Sequence, residues 1–378
     1  MTPLWLTSIP QPEPLAQPGP TWLLWTLLML TFVLHLVPMN LVLGGALLNV
    51  VSRWRARRGH AHAGELAALI TKATPVGIAA AVNFGVAPLL FLQVLYGRVF
   101  FTSSILMAWW WLAVVPILIA AYYGAYVLSF RGERLGRGAV ALAWLVLLLL
   151  VAISFIYSNN MSLMIRPDVF GEKYLASGQG WHLNASDPTL VPRWLHMVLG
   201  AVAVAGLGVA ALGLARRRGD PAFAAWAMRH GSLWCAAATS LNILTGFWWL
   251  ALLPTDTLVG FMGRDAASTF VLAIGTLAGL GVLTTSWLAA RAEDPSSLVW
   301  TGLGLMGVTL VFMALTRDQA RWGVLTALGF RPVEWVEPQW GPIALFLVLL
   351  VVAFASIGWM LQRIVVERGR PDGLTGAR

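Results

Sequence analysis

Apolar stretches of about 20 residues, each long enough to cross a bilayer core, recur along the whole of this sequence. In hydrocarbon every backbone N–H and C=O must be satisfied within the protein, and helices do this segment by segment. The expected fold is therefore all-α, a polytopic membrane helical bundle of about nine transmembrane helices. They are placed at about 21–51, 73–97, 104–130, 138–160, 192–215, 222–253, 267–290, 297–316 and 341–363. This gives a single membrane domain over 1–378, with a Pro-rich outer tail at 1–20 and an inner tail at 364–378. Charged residues make up 11% of the chain, against about 25% in soluble domains, so a string of soluble domains is excluded.

The net charge of +9 comes from arginines gathered in short loops. That placement is a topology signal and not a nucleic-acid surface. With the amino terminus outside and the carboxyl terminus inside, the outer segments hold eight of the 25 basic residues: Arg98, Arg166, Lys173, Arg193, Arg264, Arg317, Arg321 and Arg331. The rest fall inside. The expected location is a bacterial-type inner (cytoplasmic) membrane, crossed many times. Cys235 is the single cysteine, so there is no disulfide framework, no CxxC and no CxxCH haem attachment. The first twenty residues lack the basic start of a signal peptide, so the first helix is expected to act as an uncleaved insertion signal. No internal repeat at a solenoid period is visible. Two outer loops, about 161–191 and 317–340, are long enough to hold structure or meet a partner.

By this layout all 16 carboxylates fall in loops or at helix ends. Proton-coupled membrane machines usually bury some. Histidines behave differently. His60, His62 and His182 fall in loops, whereas His35, His196 and His230 lie inside spans or at their ends. An intramembrane imidazole needs a partner. It is either bonded to a neighbouring helix or a ligand of haem iron, for which methionine is a frequent opposite ligand. His35 and His196 are the candidate iron ligands. His230, near the inner end of its span, is a weaker cofactor-binding candidate. Arg193, one turn before His196, suits a haem propionate. Met161, Met164, Met262 and Met313 lie toward the outer face; Met164 and Met313 fit best by depth, and a histidine is an open alternative. Small residues from Leu199 to Gly213 allow close approach of a helix or a flat macrocycle.

With these residues placed, the chain resembles subunit I of the cytochrome bd quinol oxidases. HLVPMNLVLGG, from His35, is similar to the family's first-helix histidine region, and NFGVAPLLFLQVLYG, ending at Gly97, to its second-helix pattern. SLMIRP resembles the stretch closing the fourth helix, VPRWLHMVLGAVAVAG the motif carrying the low-spin haem histidine, and DQARW a Gly-Arg-Gln-Pro-Trp stretch. The resemblance implies one or more b-type haems, quinone or quinol as a second candidate cofactor, lipid and other membrane subunits as partners, and an outer-face cytochrome c as a candidate redox partner. The sequence also departs from the family. Gln93 stands where the family has a glutamate, Leu106 or a neighbour replaces another acid, Leu277 the methionine opposite the low-spin haem, and a residue around Thr309 a third acid. The quinol-binding loop is cut to Leu253–Ala267. Without those acids the resemblance implies electron transfer, and not dioxygen reduction by this chain alone. The alternatives are a haem-free structural paralogue of such a subunit, or a non-respiratory transporter. The absence of buried acids and of paired broken helices weighs against the transporter.

Overall fold

A computed structural model describes residues 16–331 and 335–368; the remainder of both expected tails lies outside the described residues. Among the described residues, nine helices are long and apolar enough to cross a membrane. They are α1 (Thr21–Ala56), α2 (Ala61–Leu106), α3 (Ala108–Arg131), α4 (Gly138–Met164), α6 (Leu190–Arg216), α7 (Pro221–Ala251), α9 (Ala266–Ala289), α10 (Ser296–Ala327) and α11 (Trp340–Arg368). Two short helices, α5 (Phe170–Ala176) and α8 (Thr255–Val259), lie in the connections. The protein is an integral membrane protein with an all-helical fold.

Contacts divide the described chain into two compact units. One runs from 25 to 331; the other joins 16–24 to 335–368. In the smaller unit Gln17 donates its backbone N–H to Trp335 and accepts from that of Glu337, while its side chain reaches Thr21. None of the α11 side chains described in its span is fully buried, as expected of a helix that meets lipid.

In the larger unit, α1 to α4 share an apolar core that includes Val42, Ala46, Ile78, Ala121, Ala143 and Leu147. A second core, with Val202, Leu207, Met228, Cys235, Val282 and Met306, joins α6, α7, α9 and α10. Small residues set the closest crossings. A methyl on Gly44 would run into the backbone carbonyl of Ala201, so α1 and α6 touch there. Along α6 and α7, methyls at Gly206 and Gly213 would lie 2.6 Å from the backbone N of Cys235 and 2.7 Å from the carbonyl of Ala224. Packing is what drives helix association in lipid, and small residues permit it.

Two elements differ from expectation. The 46-residue α2 starts at Ala61, so His62 sits in a helix and not in a loop. Pro75 and Pro88 fall within it, and its backbone leaves helical geometry only at Tyr96, where φ is −125°. The tenth helix runs on to Ala327, which puts Arg317, Asp318 and Arg321 on a helix where the sequence suggested a loop. Asp318 is 4% exposed and lies within α10, which corrects the expectation that every carboxylate falls in a loop or at a helix end.

Candidate functional site

His35 on α1 and His196 on α6 stand in matching environments. The Nδ1 of His35 lies 2.9 Å from the carbonyl oxygen of Ala81 on α2, 46 residues on. That of His196 lies 2.9 Å from the carbonyl of Asn242 on α7, again 46 residues on. A carbonyl only accepts, so each Nδ1 carries the proton and each Nε2 is left with its lone pair. One helical turn beyond each carbonyl is a glycine under the ring. A methyl at Gly85 would lie 2.9 Å from Cε1 of His35, and one at Gly246 would lie 2.9 Å from Cε1 of His196. Neither Nε2 has a hydrogen-bond partner among the described residues.

The helix segments that carry the two rings are only partly buried. Residues 193–200 are all only partly buried, on every side of α6, whereas residues 201–207 are all buried. On α1 residues 32–36 are likewise partly buried and residues 42–46 fully so. Each helix thus changes from partial to full burial within about two turns of its histidine.

Toward the far end, where α1 and α6 begin and α2 and α10 finish, three arginines gather. Arg193, Arg317 and Arg321 are within electrostatic range of one another. Asp318 is their close counter-charge: Arg321 Nη1 donates to it at 3.1 Å, and Trp25 Nε1 donates at 2.6 Å. The Arg317 guanidinium lies 4.8 Å from the ring centroid of Phe32, one turn from His35. That of Arg193 lies 5.6 Å from the Trp249 ring. Arg193 Nε and Trp249 Nε1 are buried donors without a partner among the described residues, and each such donor costs about 1–3 kcal/mol unless an acceptor is supplied. Asp187, buried nearby, is committed to Asn184 and Thr189. Three guanidiniums against Asp318 and Asp187 leave this layer net positive.

The remaining candidates fall as follows. Met313 lies on α10, one turn deeper than Arg317, with its Cε against Gly275 of α9, in the same helix group as His196. Met164 is wholly buried in the far-end core with Phe100, Leu106, Phe170 and Leu325, a cluster to which α6 contributes nothing. Gln93 is half-buried on α2, two turns beyond Gly85, and has no hydrogen bond among the described residues. His230 is about 18 Å along α7 from Asn242, by the rise of a helix; its Nε2 accepts from Trp234 Nε1 at 3.2 Å, and its ring stacks on Trp226. The structure does not bring it to the other two. Leu277 is 64% exposed on α9, so it does not face His196, and the Thr309 hydroxyl is bonded to Leu305. Sequence reasoning missed Arg317 and Arg321 as members of this layer, having placed them outside the spans.

No family profile matches the chain, and no curated protein matches it. Among solved structures, the bd oxidase from Geobacillus thermodenitrificans superposes with a TM-score of 0.69 over 94% of this chain and 100% of that one. The identity is 13%. The chain shares the bd-oxidase fold, and its chemistry rests on its own residues.

Proposed function

We propose that this chain is a haem-b-binding electron-transfer subunit of a respiratory membrane complex, of the bd subunit I type. It would pass electrons between the quinone pool and a partner redox subunit. The observation that carries the reading is the matched pair of imidazoles, each with Nδ1–H on a backbone carbonyl and Nε2 without a partner among the described residues. That is how a protein fixes the tautomer of an iron-ligating histidine. The described residues contain no group of three or more His, Cys, Asp or Glu side chains that could hold a metal ion. A porphyrin brings four nitrogens of its own, so one imidazole per iron suffices. When bound, haem would supply a one-electron carrier whose potential the protein tunes by axial ligand, burial and hydrogen bonding.

The chain's own residues fit such a group. His35 and His196 would ligate. Arg193 and Trp249, with Arg317 beside them, would meet propionates, the first two with donors that are unpaired among the described residues. Met313 is the better-placed second ligand for the His196 site, and Met164 the poorer, because α6 has no part in its packing. Gln93 would offer a neutral donor beyond His35. His230, bonded to Trp234 and stacked on Trp226, lies apart from these residues. Asp318 is held by Trp25 and Arg321, so it does not replace the family's acids, and dioxygen reduction by this chain alone is not proposed. Basic residues at the α1–α2 and α3–α4 turns favour that end as cytoplasmic, with the amino terminus outside.

The second reading is a haem-free structural subunit. Its support is that each imidazole already clasps two helices through a carbonyl. A reduced-minus-oxidised spectrum of the purified complex separates the two. Electron transfer predicts a b-type signal that His196→Ala diminishes; a spectrum with no haem signal, or one untouched by substitution of either histidine, favours the structural subunit.

A further inference from the structure

At the opposite, arginine-rich end, the start of α2, the first four turns of α7 and the α9–α10 turn border an open pocket of about 590 Å³. Its wall includes His62, Trp226, Arg229, His230, Leu233 and Arg291, and no carboxylate lines it. That volume lies within the range of small-molecule sites.

The polar groups here have donors to spare. Arg229 gives Nε to the carbonyl of Ala292 and Nη2 to that of Glu293, which fixes the guanidinium and leaves Nη1 over. Arg291 stacks on Trp287 at 3.6 Å and spends only Nη1, on the Trp287 carbonyl. Trp234 donates to Nε2 of His230, so the neutral ring carries its proton on Nδ1. The His62 ring lies 5.6 Å from Trp226 and makes no hydrogen bond among the described residues. Two guanidiniums and two imidazoles without a lining acid call for an anion. The setting says which kind. Leu233, one turn deeper than Arg229, is 49% exposed, and Trp287 and Leu288 on the last turn of α9 are 48% and 50% exposed. Cations at the mouth and an apolar wall one turn into the bilayer match a phosphate ester with acyl chains attached.

We propose that this pocket binds the phosphate group of an anionic phospholipid. A soluble phosphate shares the headgroup chemistry but leaves the apolar wall unused. The test takes the full-length protein, delipidated in detergent, and counts bound lipid by native mass spectrometry. The protein is offered phosphatidylglycerol, phosphatidylcholine or inorganic phosphate alone. Phosphatidylglycerol is expected to remain bound where phosphatidylcholine does not. Arg291→Gln, whose guanidinium otherwise touches only Trp287, is expected to weaken binding about fivefold, the effect of one interfacial charge. Equal retention of the two lipids overturns the proposal, as does unchanged binding by Arg291→Gln. Displacement of phosphatidylglycerol by an equimolar amount of inorganic phosphate also overturns it, assigning the site to a soluble anion. The comparison between the two lipids and phosphate is made on the unsubstituted protein, so it stands even if the variant folds poorly.

Discussion

An imidazole in a membrane helix must place both nitrogens, and His196 places one on a backbone carbonyl that no side-chain substitution can remove. What a substitution can change is the floor under the ring. Gly246→Ala would put a methyl 2.9 Å from Cε1, closer than a carbon contact allows, so the ring must move off its carbonyl. Such overpacking costs about 1–3 kcal/mol. We expect Gly246→Ala to lower the melting temperature and, with His196 ligating haem as proposed, to shift or weaken a b-type band of the reduced protein, with Gly246→Ser doing the same. A band and melting curve identical to those of the unsubstituted protein would mean that the ring does not sit on this glycine. His35 and His196 were legible in the sequence because an imidazole within an apolar run stands out. Their carbonyl partners were not, since a bond to the backbone leaves no mark on residue identity. Arg317 and Arg321 escaped for another reason. Hydropathy scores a guanidinium tied to a buried Asp318, as that of Arg321 is, or laid against Phe32, as that of Arg317 is, the same as one in water, so the apolar window ends at 316 while the helix runs on to Ala327.

Between elements, the deciding contacts are made by residues with the least side chain. Gly44 meets the backbone of Ala201 and the methyl of Ala205, and there α1 of the first helix group crosses α6 of the second. Gly44→Val must push these helices apart, because a backbone carbonyl cannot rotate away as a side-chain end can. The expected result is loss of monodisperse protein on mild heating in detergent, read by size exclusion, with Gly45→Ala as the tolerated control. A methyl at Gly45 meets only Ile70, at 3.8 Å. The small-residue run from Leu199 to Gly213 is accounted for by this crossing and by the α6–α7 contact, so it carries no separate signal for a macrocycle. The spans as a set were readable from apolar length, but their ends were not. At about 1.5 Å per residue the 46-residue α2 is roughly 69 Å long, over twice a bilayer core. Its first turns are amphipathic and helical yet outside the apolar window, which is why His62 looked like a loop residue.

Across the whole molecule, the two histidine settings are one arrangement used twice. His35, Ala81 and Gly85 correspond to His196, Asn242 and Gly246, each a step of 161 residues along the chain. The same step takes Gly44 to Ala205, and these two residues face each other where α1 crosses α6. The recurrence is hidden in the sequence because what repeats is a carbonyl, a glycine and an imidazole, spread over about 50 residues of otherwise unrelated apolar side chains. The two settings are not identical in chemistry. His196 has Arg193 on its own helix and Met313 in its group, whereas His35 has Phe32 at the corresponding place and receives Arg317 from α10. If each setting holds its own haem, the settings share neither ligand nor clasping carbonyl, and their losses should be separable. On this reasoning His35→Ala and His196→Ala each remove one of two haem equivalents measured as the pyridine haemochrome, and the double variant removes both. Because the neighbours differ, the two single variants should also lose different parts of the reduced spectrum. Loss of all haem from either single variant would show one pigment bridging both histidines, and the two settings would then be halves of a single site.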